Sequence, residues 1–420
     1  MGNITLSISM LTPGGQYLEA CLESLNGIRG KVSCELVIVD TGCDVENRAL
    51  IEKYANHIIP FTWCNDFAAA RNAGLGCCSG KWFLYLDDDE VIEDGESLIQ
   101  FLLSPDCDKY SYGYITRKNY FNNASDSGQY DVNLLARLFR RTEGMRFVYP
   151  IHEGIPIKSG MQGRRLDVTL GHYGYFYKDR EALLKHSERN IPMLLKALEE
   201  YPNDSHLASQ LAHEYQIIDD YEKQVAVCEK YYSNVECEVE DSAILACGWL
   251  AGLIGLGKYE RAIDLCEKFE LELSDCVTAL VTIYTYAMIS FYHLERYQEM
   301  AANAQMYENL YQRAKEKDDS LAYEFFTKNG LDAGYRSLLV QMLLIVGLKT
   351  QDDDLITYYK GEIAWDEPGV KLYDDFPRVL CEAIEQNGYT SAMAEFLENV
   401  LRADVVKNAV LQYKVQLLRE

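Results

Sequence analysis

Short apolar runs rich in β-branched residues alternate with helix-like stretches over the first hundred residues. The strand candidates are 4–10, 34–39, 57–61 and 82–86, and the helix candidates are 15–26, 45–55 and 66–77. Strands separated by helices favour right-handed crossovers and a mostly parallel sheet, with polar groups collected at the carboxyl ends of the strands. This pattern predicts that Thr12, Asp40 and residues 87–89 lie along one edge. The stretch 112–177 is irregular, strand-like and rich in Gly, Tyr and Arg, as expected for a segment that completes a site.

From about residue 180 onward the periodicity is helical and repetitive. Tyr221, Tyr259 and Tyr297 each open a helix-like stretch, and successive tyrosines are 38 residues apart. Small residues such as Gly248 and Gly252 precede the second of these stretches and permit close packing of helices. The region resembles tetratricopeptide repeats, whose usual period is about 34 residues. We therefore predict two domains, an α/β domain over 1–180 and an all-α, tetratricopeptide-like domain over 181–420.

The charge distribution changes at the same boundary. Of the formal net charge of -25, residues 1–180 carry -5 (18 basic and 23 acidic), and residues 181–420 carry -20 (22 basic and 42 acidic). An acidic chain argues against a nucleic-acid partner, because phosphate binding depends on clustered Lys and Arg. Residues 117–180 are locally basic, with 11 basic and 6 acidic side chains. This suggests either a small anionic ligand there or a solvated loop face.

Membrane insertion and secretion find no support in the sequence. No run of about 18 uncharged apolar residues occurs, and the first residues lack a basic, signal-like region. The 13 cysteines never stand in a Cys-x-x-Cys spacing. We therefore expect a cytoplasmic protein whose cysteines are reduced.

An acidic run follows the strand candidate at 82–86. Asp87, Asp88, Asp89 and Glu90 place up to four negative charges at one strand end. Such a cluster is costly unless a cation neutralises it, and carboxylate oxygens suit Mg²⁺ or Mn²⁺, which in turn would hold a diphosphate oxygen. For so short a motif, an acidic turn in solvent is the alternative.

Three sequence blocks together carry a family resemblance. They read ELVIVDTG at 35–42, FTWCNDFAAARN at 61–72 and GKWFLYLDDDE at 80–90. In order and spacing they resemble inverting family 2 glycosyltransferases of GT-A fold. The added helical repeats resemble the bacterial subset of that family that glycosylates peptides or proteins.

The resemblance implies a role for each matching side chain. Contacts to the nucleotide-sugar donor are implied for Thr12, Asp40, Arg71, Asp87, Asp88 and His152. Within this set, Asp40 would contact the nucleotide, Arg71 the diphosphate, and Asp87 the ribose or a metal-bound water. Two of these residues have structural alternatives. Asp40 could cap the helix that begins near Val45, and Arg71 could pair with Asp66 on its own helix.

Blocks at 149–154 and 171–175 resemble the two His-containing blocks of the family. They imply that Glu153 is the catalytic base, and that Asp89 and His172 bind Mn²⁺ or Mg²⁺. His152 would hydrogen-bond the diphosphate or orient Glu153. The alternatives are a solvated turn glutamate at 153 and a structural histidine at 172.

These observations predict an enzyme. We expect a metal-dependent inverting glycosyltransferase, a hexosyl- or N-acetylhexosaminyltransferase, that uses a UDP-sugar and modifies a peptide or protein. The helical domain would recognise the acceptor and form a homodimer. The alternatives are a saccharide acceptor, or a repeat scaffold whose GT-A domain is inactive.

Overall fold

The chain folds into two compact units, Met1–Pro202 and Asn203–Glu420. The structure, a computed structural model, describes residues 4–120, 130–174, 180–233, 239–316, 325–365, 371–385 and 390–417. The helix Arg180–Glu200 belongs to the first unit, so the boundary between the units falls after this helix. The boundary predicted from the sequence, at residue 180, falls at its start.

One sheet of eight strands organises the first unit. The strands are β1 (Leu6–Thr12), β2 (Cys34–Asp40), β3 (His57–Pro60), β4 (Trp82–Asp87), β5 (Glu90–Asp94), β6 (Tyr112–Tyr120), β7 (Tyr130–Arg140) and β8 (Gly163–His172). Their order is β3-β2-β1-β4-β7-β6-β8-β5. The first four strands pair in parallel, as predicted, and this confirms the α/β class.

The second half of the sheet mixes strand directions. Strand β7 runs antiparallel to both β4 and β6, while β8 is parallel to β6 and antiparallel to β5. The described part of the stretch 112–177 thus contains three long strands, while residues 141–162, between β7 and β8, are irregular as predicted. Residues 121–129 and 175–179 of this stretch lie outside the described residues.

The helices of the first unit begin at side-chain caps where the sequence offers them. They are α1 (Leu18–Ser24), α2 (Asn26–Arg29), α3 (Val45–Tyr54), α4 (Phe67–Cys77), α5 (Glu96–Leu103) and α6 (Arg180–Glu200), with a 3-10 helix at Pro105–Lys109. Asp44 accepts the Asn47 N–H at 2.8 Å and caps α3, and Asp66 accepts the Ala69 N–H at 2.8 Å and caps α4. Each such cap contributes about 1 kcal/mol. The cap of α3 is thus Asp44 and not Asp40.

The core holds the carboxyl edge of the sheet in place. Strand β1 is buried along its whole length, as are the central residues of β2 and β4, which is typical of parallel strands covered on both faces. Helix α4 approaches closely at Gly74, where a Cβ would lie 2.6 Å from Ser9 Oγ. The polar ends of β1, β2 and β4 therefore project from a packed support.

The second unit consists of helices in succession. They are α7 (Ser205–Ile217), α8 (Tyr221–Tyr232), α9 (Val239–Gly255), α10 (Tyr259–Glu272), α11 (Val277–His293), α12 (Tyr297–Glu316), α13 (Ala333–Thr350), α14 (Asp353–Tyr359), α15 (Phe376–Glu385), α16 (Ser391–Val400) and α17 (Asp404–Leu417), with a 3-10 helix at Phe325–Leu331. Tyr221, Tyr259 and Tyr297 are each the first residue of a helix, which confirms the repeat.

The turns before these three tyrosines share one backbone device. The residue two positions before each tyrosine adopts a left-handed conformation, with φ of 59° at Asp219, 65° at Gly257 and 57° at Glu295. The 38-residue period is therefore a period of turn geometry as well as of sequence. Over the described parts of the chain, none of the helices is both long and apolar enough to span a bilayer.

Candidate active site

Two arginines neutralise half of the acidic run. Asp87, the last residue of β4, accepts hydrogen bonds from Arg71 and, at 3.0 Å, from Arg137 Nη2. Glu90, fully buried at the start of β5, accepts another from Arg137 Nη2 at 2.6 Å. Burial alone would raise the pKa of Asp87, but Arg137 and Arg71 hold it well below its ordinary value. Part of the charge compensation that the sequence analysis assigned to a cation therefore comes from two arginines of the chain.

Arg71 joins two carboxylates that are distant in sequence. It lies on α4 with 6% of its surface exposed, and its Nε is 2.5 Å from Glu153 Oε1 while its Nη2 pairs with Asp87. The guanidinium also lies over the Tyr85 ring, 5.1 Å from the centroid. Arg71 therefore pairs with Asp87 and Glu153, while Asp66 serves as the cap of α4.

The loop after β1 is tied to the acidic turn. The Thr12 hydroxyl donates to Asp88 Oδ2 at 2.5 Å and accepts the Gly14 N–H at 2.8 Å. Thr12 itself is fully buried. One hydroxyl thus fixes the Asp88 carboxylate and the start of the loop at the same time.

Asp89 faces His172 at the same edge of the sheet. Asp89 Oδ1 lies 3.5 Å from His172 Nε2, and this oxygen is buried without a hydrogen-bond partner among the described residues, although 29% of the side chain is exposed. His172 Nδ1 lies 2.8 Å from Asn119 Oδ1, and the Asn119 amide NH₂ donates to Asn133. Asn119 Oδ1 is therefore an acceptor, so the ring carries its proton on Nδ1 and turns the Nε2 lone pair toward Asp89.

Charge and space around this pair suit a divalent cation. Burial raises the pKa of Asp89 to about 8, and the charges of Asp87, Glu90 and Asp88 add to the shift. Burial also lowers the pKa of His172 to about 3, with a further contribution from Arg117. Both shifts favour the neutral form of the group concerned in the metal-free chain.

A bound cation would favour the ionised form of Asp89, because it offsets the charge of the carboxylate. At Gly174 a Cβ would lie 2.2 Å from Asp89 Oδ2 and 2.7 Å from His172 Nε2, so glycine keeps the space open. No group of three or more metal-binding side chains occurs within the described ranges. Mg²⁺ and related ions commonly take one or two side chains and complete their shell with water and substrate phosphates. The oxygen and imidazole donors of Asp89 and His172 fit that arrangement.

Asp40 organises the turn after β2. Its Oδ1 accepts the backbone N–H groups of Gly42 at 3.0 Å and Cys43 at 2.8 Å, and its Oδ2 pairs with Arg48. Asp40 is the direct neighbour of Thr12 across the β1–β2 pair. A surface cleft opens beside these two strand ends, lined by residues that include Gly14, Gln16, Gly42 and Asn47.

Glu153 belongs to a short loop with an unusual backbone. A bridge between Val148 and Gly154 closes the loop, and Tyr149 and His152 both have positive φ, 68° and 52°. The Phe67 N–H donates to Pro150 O at 2.8 Å, which ties the loop to the start of α4. His152 is exposed, whereas Glu153 turns toward Arg71 with 11% of its side chain exposed. Backbone of this kind is held in place by its surroundings and is common at functional sites.

Part of the first unit matches a known protein family. Residues 14–165 match the family described as glycosyl transferase family 2. This match covers about a third of the chain and lies within the first unit. A TPR repeat-containing protein of Synechococcus elongatus is 28% identical over 207 residues, which is 47% of this chain and 48% of the relative. The chain thus spans about half the length of this curated relative.

Solved structures resemble the chain more distantly. TarS 1-349 of S. aureus has a TM-score of 0.31 at 14% identity, covering 74% of this chain and 92% of that one. A mannosyltransferase of Pyrobaculum calidifontis, solved with GDP-Man and Mn²⁺, also has a TM-score of 0.31, at 13% identity, covering 60% and 81%. Both scores lie below 0.5, so these likenesses do not bear on the donor or the metal of this chain.

Within the first unit, the sequence-predicted residues fall into three contacting groups. They are Arg71 with Asp87 and Glu153, Thr12 with Asp88, and Asp89 with His172. Asp40 contacts its own turn and Arg48, and His152 lies exposed on the Glu153 loop. Tyr175 of the 171–175 block lies outside the described residues.

Sequence reasoning missed three supporting residues. Arg137 was noticed only as part of a basic segment, and Asn119 and Gly174 were not singled out. All three reach the site from strands of the second half of the sheet or from the residues that follow them. The glycines and tyrosines of 171–175 were a signal for Gly174, since a glycine beside a His block often marks a close approach.

Proposed function

We propose that this chain is a metal-dependent inverting glycosyltransferase that moves a sugar from a UDP-sugar to a peptide or protein. The observation that carries the proposal is the Asp89–His172 pair. Asp89 Oδ1, which has no hydrogen-bond partner among the described residues, and the space beside Gly174 lie at the carboxyl edge of a sheet most of which falls in the region that matches family 2. Ligands of open α/β sheets bind at this edge.

On the donor side, the chain's own residues would bind and orient the nucleotide sugar. Asp89 and His172 would hold Mn²⁺ or Mg²⁺, which when bound offsets the negative charge of the donor diphosphate. Asp40 would contact the nucleotide, and Asp87 would contact the ribose. The hydrogen bond from Thr12 would hold Asp88 close to these two aspartates. His152, which is exposed on the loop that carries Glu153, would hydrogen-bond the diphosphate or orient Glu153.

Arg71 has a different role in this proposal from the one the resemblance implies. Two carboxylates of the chain already hold its Nε and Nη2, and its Nη1 lies 3.5 Å from Leu86 O. We therefore assign Arg71 the positioning of Glu153 and Asp87, in place of direct contact with the diphosphate.

Glu153 would act as the base. In an inverting transfer, the acceptor attacks the anomeric carbon from the side opposite the leaving diphosphate, and a carboxylate takes the acceptor proton. Arg71 fixes Oε1 of Glu153 and thereby orients the other oxygen of the carboxylate. The left-handed residues Tyr149 and His152 hold the loop that presents it.

The helical unit is proposed to recognise the acceptor and to form a homodimer. Stacked helical pairs offer extended surfaces suited to a peptide, with further faces left for a second copy. This part of the proposal rests on the repeat and on the acidic charge of residues 181–420.

The test is nucleotide release by the purified full chain. UDP- and GDP-sugars would each be incubated with Mn²⁺ or Mg²⁺, and released UDP or GDP measured with Asp89→Asn alongside. Asp167→Asn, an exposed aspartate on the same strand as His172, is the matched control. We expect Asp89→Asn to lower release by about 10²-fold or more and Asp167→Asn to leave it unchanged. Release that persists in EDTA and in Asp89→Asn would overturn the metal role, and binding of a UDP-sugar without any release would favour the scaffold alternative.

A further inference from the structure

A short segment of the second unit lies against the first helices of successive helical pairs. The 3-10 helix Phe325–Leu331 packs on α9 and α11, and Phe326 also reaches α7. Phe326 is 1% exposed and Thr327 is fully buried. We call residues 326–330 the groove segment.

The aromatic side chain of the groove segment packs against a glycine. The Phe326 ring meets His213 of α7 edge-on, with ring centroids 5.8 Å apart and an interplanar angle of 88°. At Gly248 of α9 a Cβ would lie 2.8 Å from this ring. Gly248 therefore makes room for Phe326, in addition to the helix packing that the sequence predicted for it.

One side-chain hydroxyl of α11 makes two hydrogen bonds to the main chain of the groove segment. Thr282 Oγ1, on α11, donates to Thr327 O at 2.7 Å and accepts the Gly330 N–H at 2.9 Å. The Asn329 side-chain amide donates to the Tyr286 hydroxyl at 2.7 Å, one turn further along α11. At Gly330 a Cβ would lie 2.7 Å from Thr282 N, so the two backbones touch. Side chains of the helices thus recognise backbone groups of the segment, as in the binding of a peptide.

The receiving residues lie on the first helices of three successive helical pairs. His213, Gly248 and Thr282 precede Tyr221, Tyr259 and Tyr297 by 8, 11 and 15 residues, respectively. From α7 to α9 to α11, the contacted position therefore shifts by about one helical turn per pair. In helical arrays, one helix of each pair lines the extended surface on which ligands bind.

We propose that this surface is a peptide-binding site that the chain occupies with its own groove segment. The partner that fits it is a one-turn peptide with an aromatic residue, followed three and four positions later by Asn and Gly. The aromatic ring enters the space at Gly248, the Asn meets Tyr286, and only Gly allows the approach to Thr282. Because the internal segment is tethered, it competes at an effective concentration in the millimolar range. The inference is independent of the proposed glycosyl transfer.

The test is binding of a labelled peptide, FFTKNGL, to the full chain by fluorescence anisotropy. Gly330→Ala in the chain would push the groove segment off α11, and Asn329→Ala would weaken it more gently by removing one hydrogen bond. We expect either variant to bind the peptide about tenfold more tightly than the unchanged chain, because the site is no longer filled. Gly361→Ala, where a Cβ would meet nothing within 4 Å, is the matched control and should change nothing.

Two further measurements make the result specific. Adding Gly248→Ala to either variant should abolish the gain, because the new methyl group fills the place of the aromatic ring. A peptide with Ala in place of its second Phe should not bind. The proposal is overturned if folded variants, checked by circular dichroism, bind the peptide no more tightly than the unchanged chain. It is equally overturned if both variants unfold, since the segment is then part of the core and cannot leave its site.

Discussion

The Nε of Arg71 lies 2.5 Å from Oε1 of Glu153, while the same guanidinium pairs with Asp87 at its other end. One rigid group thus fixes the distance between the proposed base and the last residue of β4. A planar guanidinium can do this, whereas the ammonium of lysine is a point charge on a flexible chain.

We therefore predict that Arg71→Lys lowers kcat by about 10²-fold through misplacement of Glu153, with a much smaller change in KM for the donor. Steady-state kinetics with the UDP-sugar identified by nucleotide release would measure both. Arg140→Lys, which alters a half-exposed arginine of the same sheet, is the control. A rise in KM with kcat unchanged would instead indicate that Arg71 contacts the diphosphate directly.

Glu153→Gln should separate binding from chemistry. The amide keeps the shape of the side chain and a contact with Arg71, but it cannot accept a proton. We expect donor affinity, measured by calorimetry with UDP-sugar and Mn²⁺, to stay within about threefold, and kcat to fall by about 10²- to 10⁴-fold. The exposed Glu143 offers the control Glu143→Gln. If Glu153→Gln bound donor poorly and turned over normally at saturation, the base would lie elsewhere.

The parallel half of the sheet could be predicted because each strand and helix there follows its own local pattern. The candidate at 34–39 became Cys34–Asp40 and the one at 45–55 became Val45–Tyr54. The helix starts at Tyr221, Tyr259 and Tyr297 could also be predicted, because a turn of the same kind recurs before each of them.

The supporting roles of Arg137 and Asn119 could not be predicted, because their partners are set by strand pairing. Arg137 reaches Glu90 across 47 positions of sequence, and Asn119 reaches His172 across 53. Strand β8 lies between β6 and β5, so its neighbours in space are not its neighbours in the chain. A single sequence contains no pattern that identifies such pairs.

Binding of Mn²⁺ to the chain should depend on pH. The pKa of Asp89 is raised from 3.8 to about 8, so at pH 7 this carboxyl is protonated and must lose its proton to bind a metal. We expect the affinity for Mn²⁺ to rise by up to about tenfold per pH unit between pH 6 and 8, and to level off above pH 8. His172 does not titrate in this window, because its pKa lies near 3.

Free Mn²⁺ counted by electron paramagnetic resonance would give the affinity at each pH. In the absence of metal, the folding stability that Asp89 contributes changes with pH in the opposite direction to the Mn²⁺ affinity. A carboxyl whose folded pKa is raised contributes stability below about pH 4, and this contribution is lost as the pH rises through about 8. Asp89→Asn should remove both effects. An affinity that does not change with pH would exclude Asp89 as the ligand that loses a proton.

The roles proposed for the two units predict the behaviour of a fragment. We expect residues 1–202, the first compact unit, to bind donor and hydrolyse it slowly but to leave a protein acceptor unmodified. The full chain should modify the acceptor and scatter light as a dimer. Intact-mass spectrometry would measure modification of the acceptor, and light scattering would separately measure dimer formation. Equal modification by fragment and full chain would remove the recognition role, and a full-chain monomer at micromolar concentration would remove the dimer.

Gly174→Ala tests the metal site without altering either proposed ligand. The added methyl would fall 2.2 Å from Asp89 Oδ2 and 2.7 Å from His172 Nε2, too close for any real side chain, so it would occupy the space for the cation or push the two ligands apart. We expect Mn²⁺ affinity and metal-dependent nucleotide release both to fall by about 10²-fold. The chain should remain folded, because part of the Asp89 side chain is exposed to solvent.

The matched control is Gly154→Ala, in the Glu153 loop, where a Cβ would meet nothing within 4 Å. It adds the same methyl group to the same unit and should leave Mn²⁺ affinity unchanged. Because Asp89 and His172 are intact in both variants, a loss confined to Gly174→Ala can come only from the geometry between these two ligands. Unchanged Mn²⁺ affinity in a folded Gly174→Ala chain would show that the cation binds elsewhere, and the Asp89–His172 assignment would fall with it.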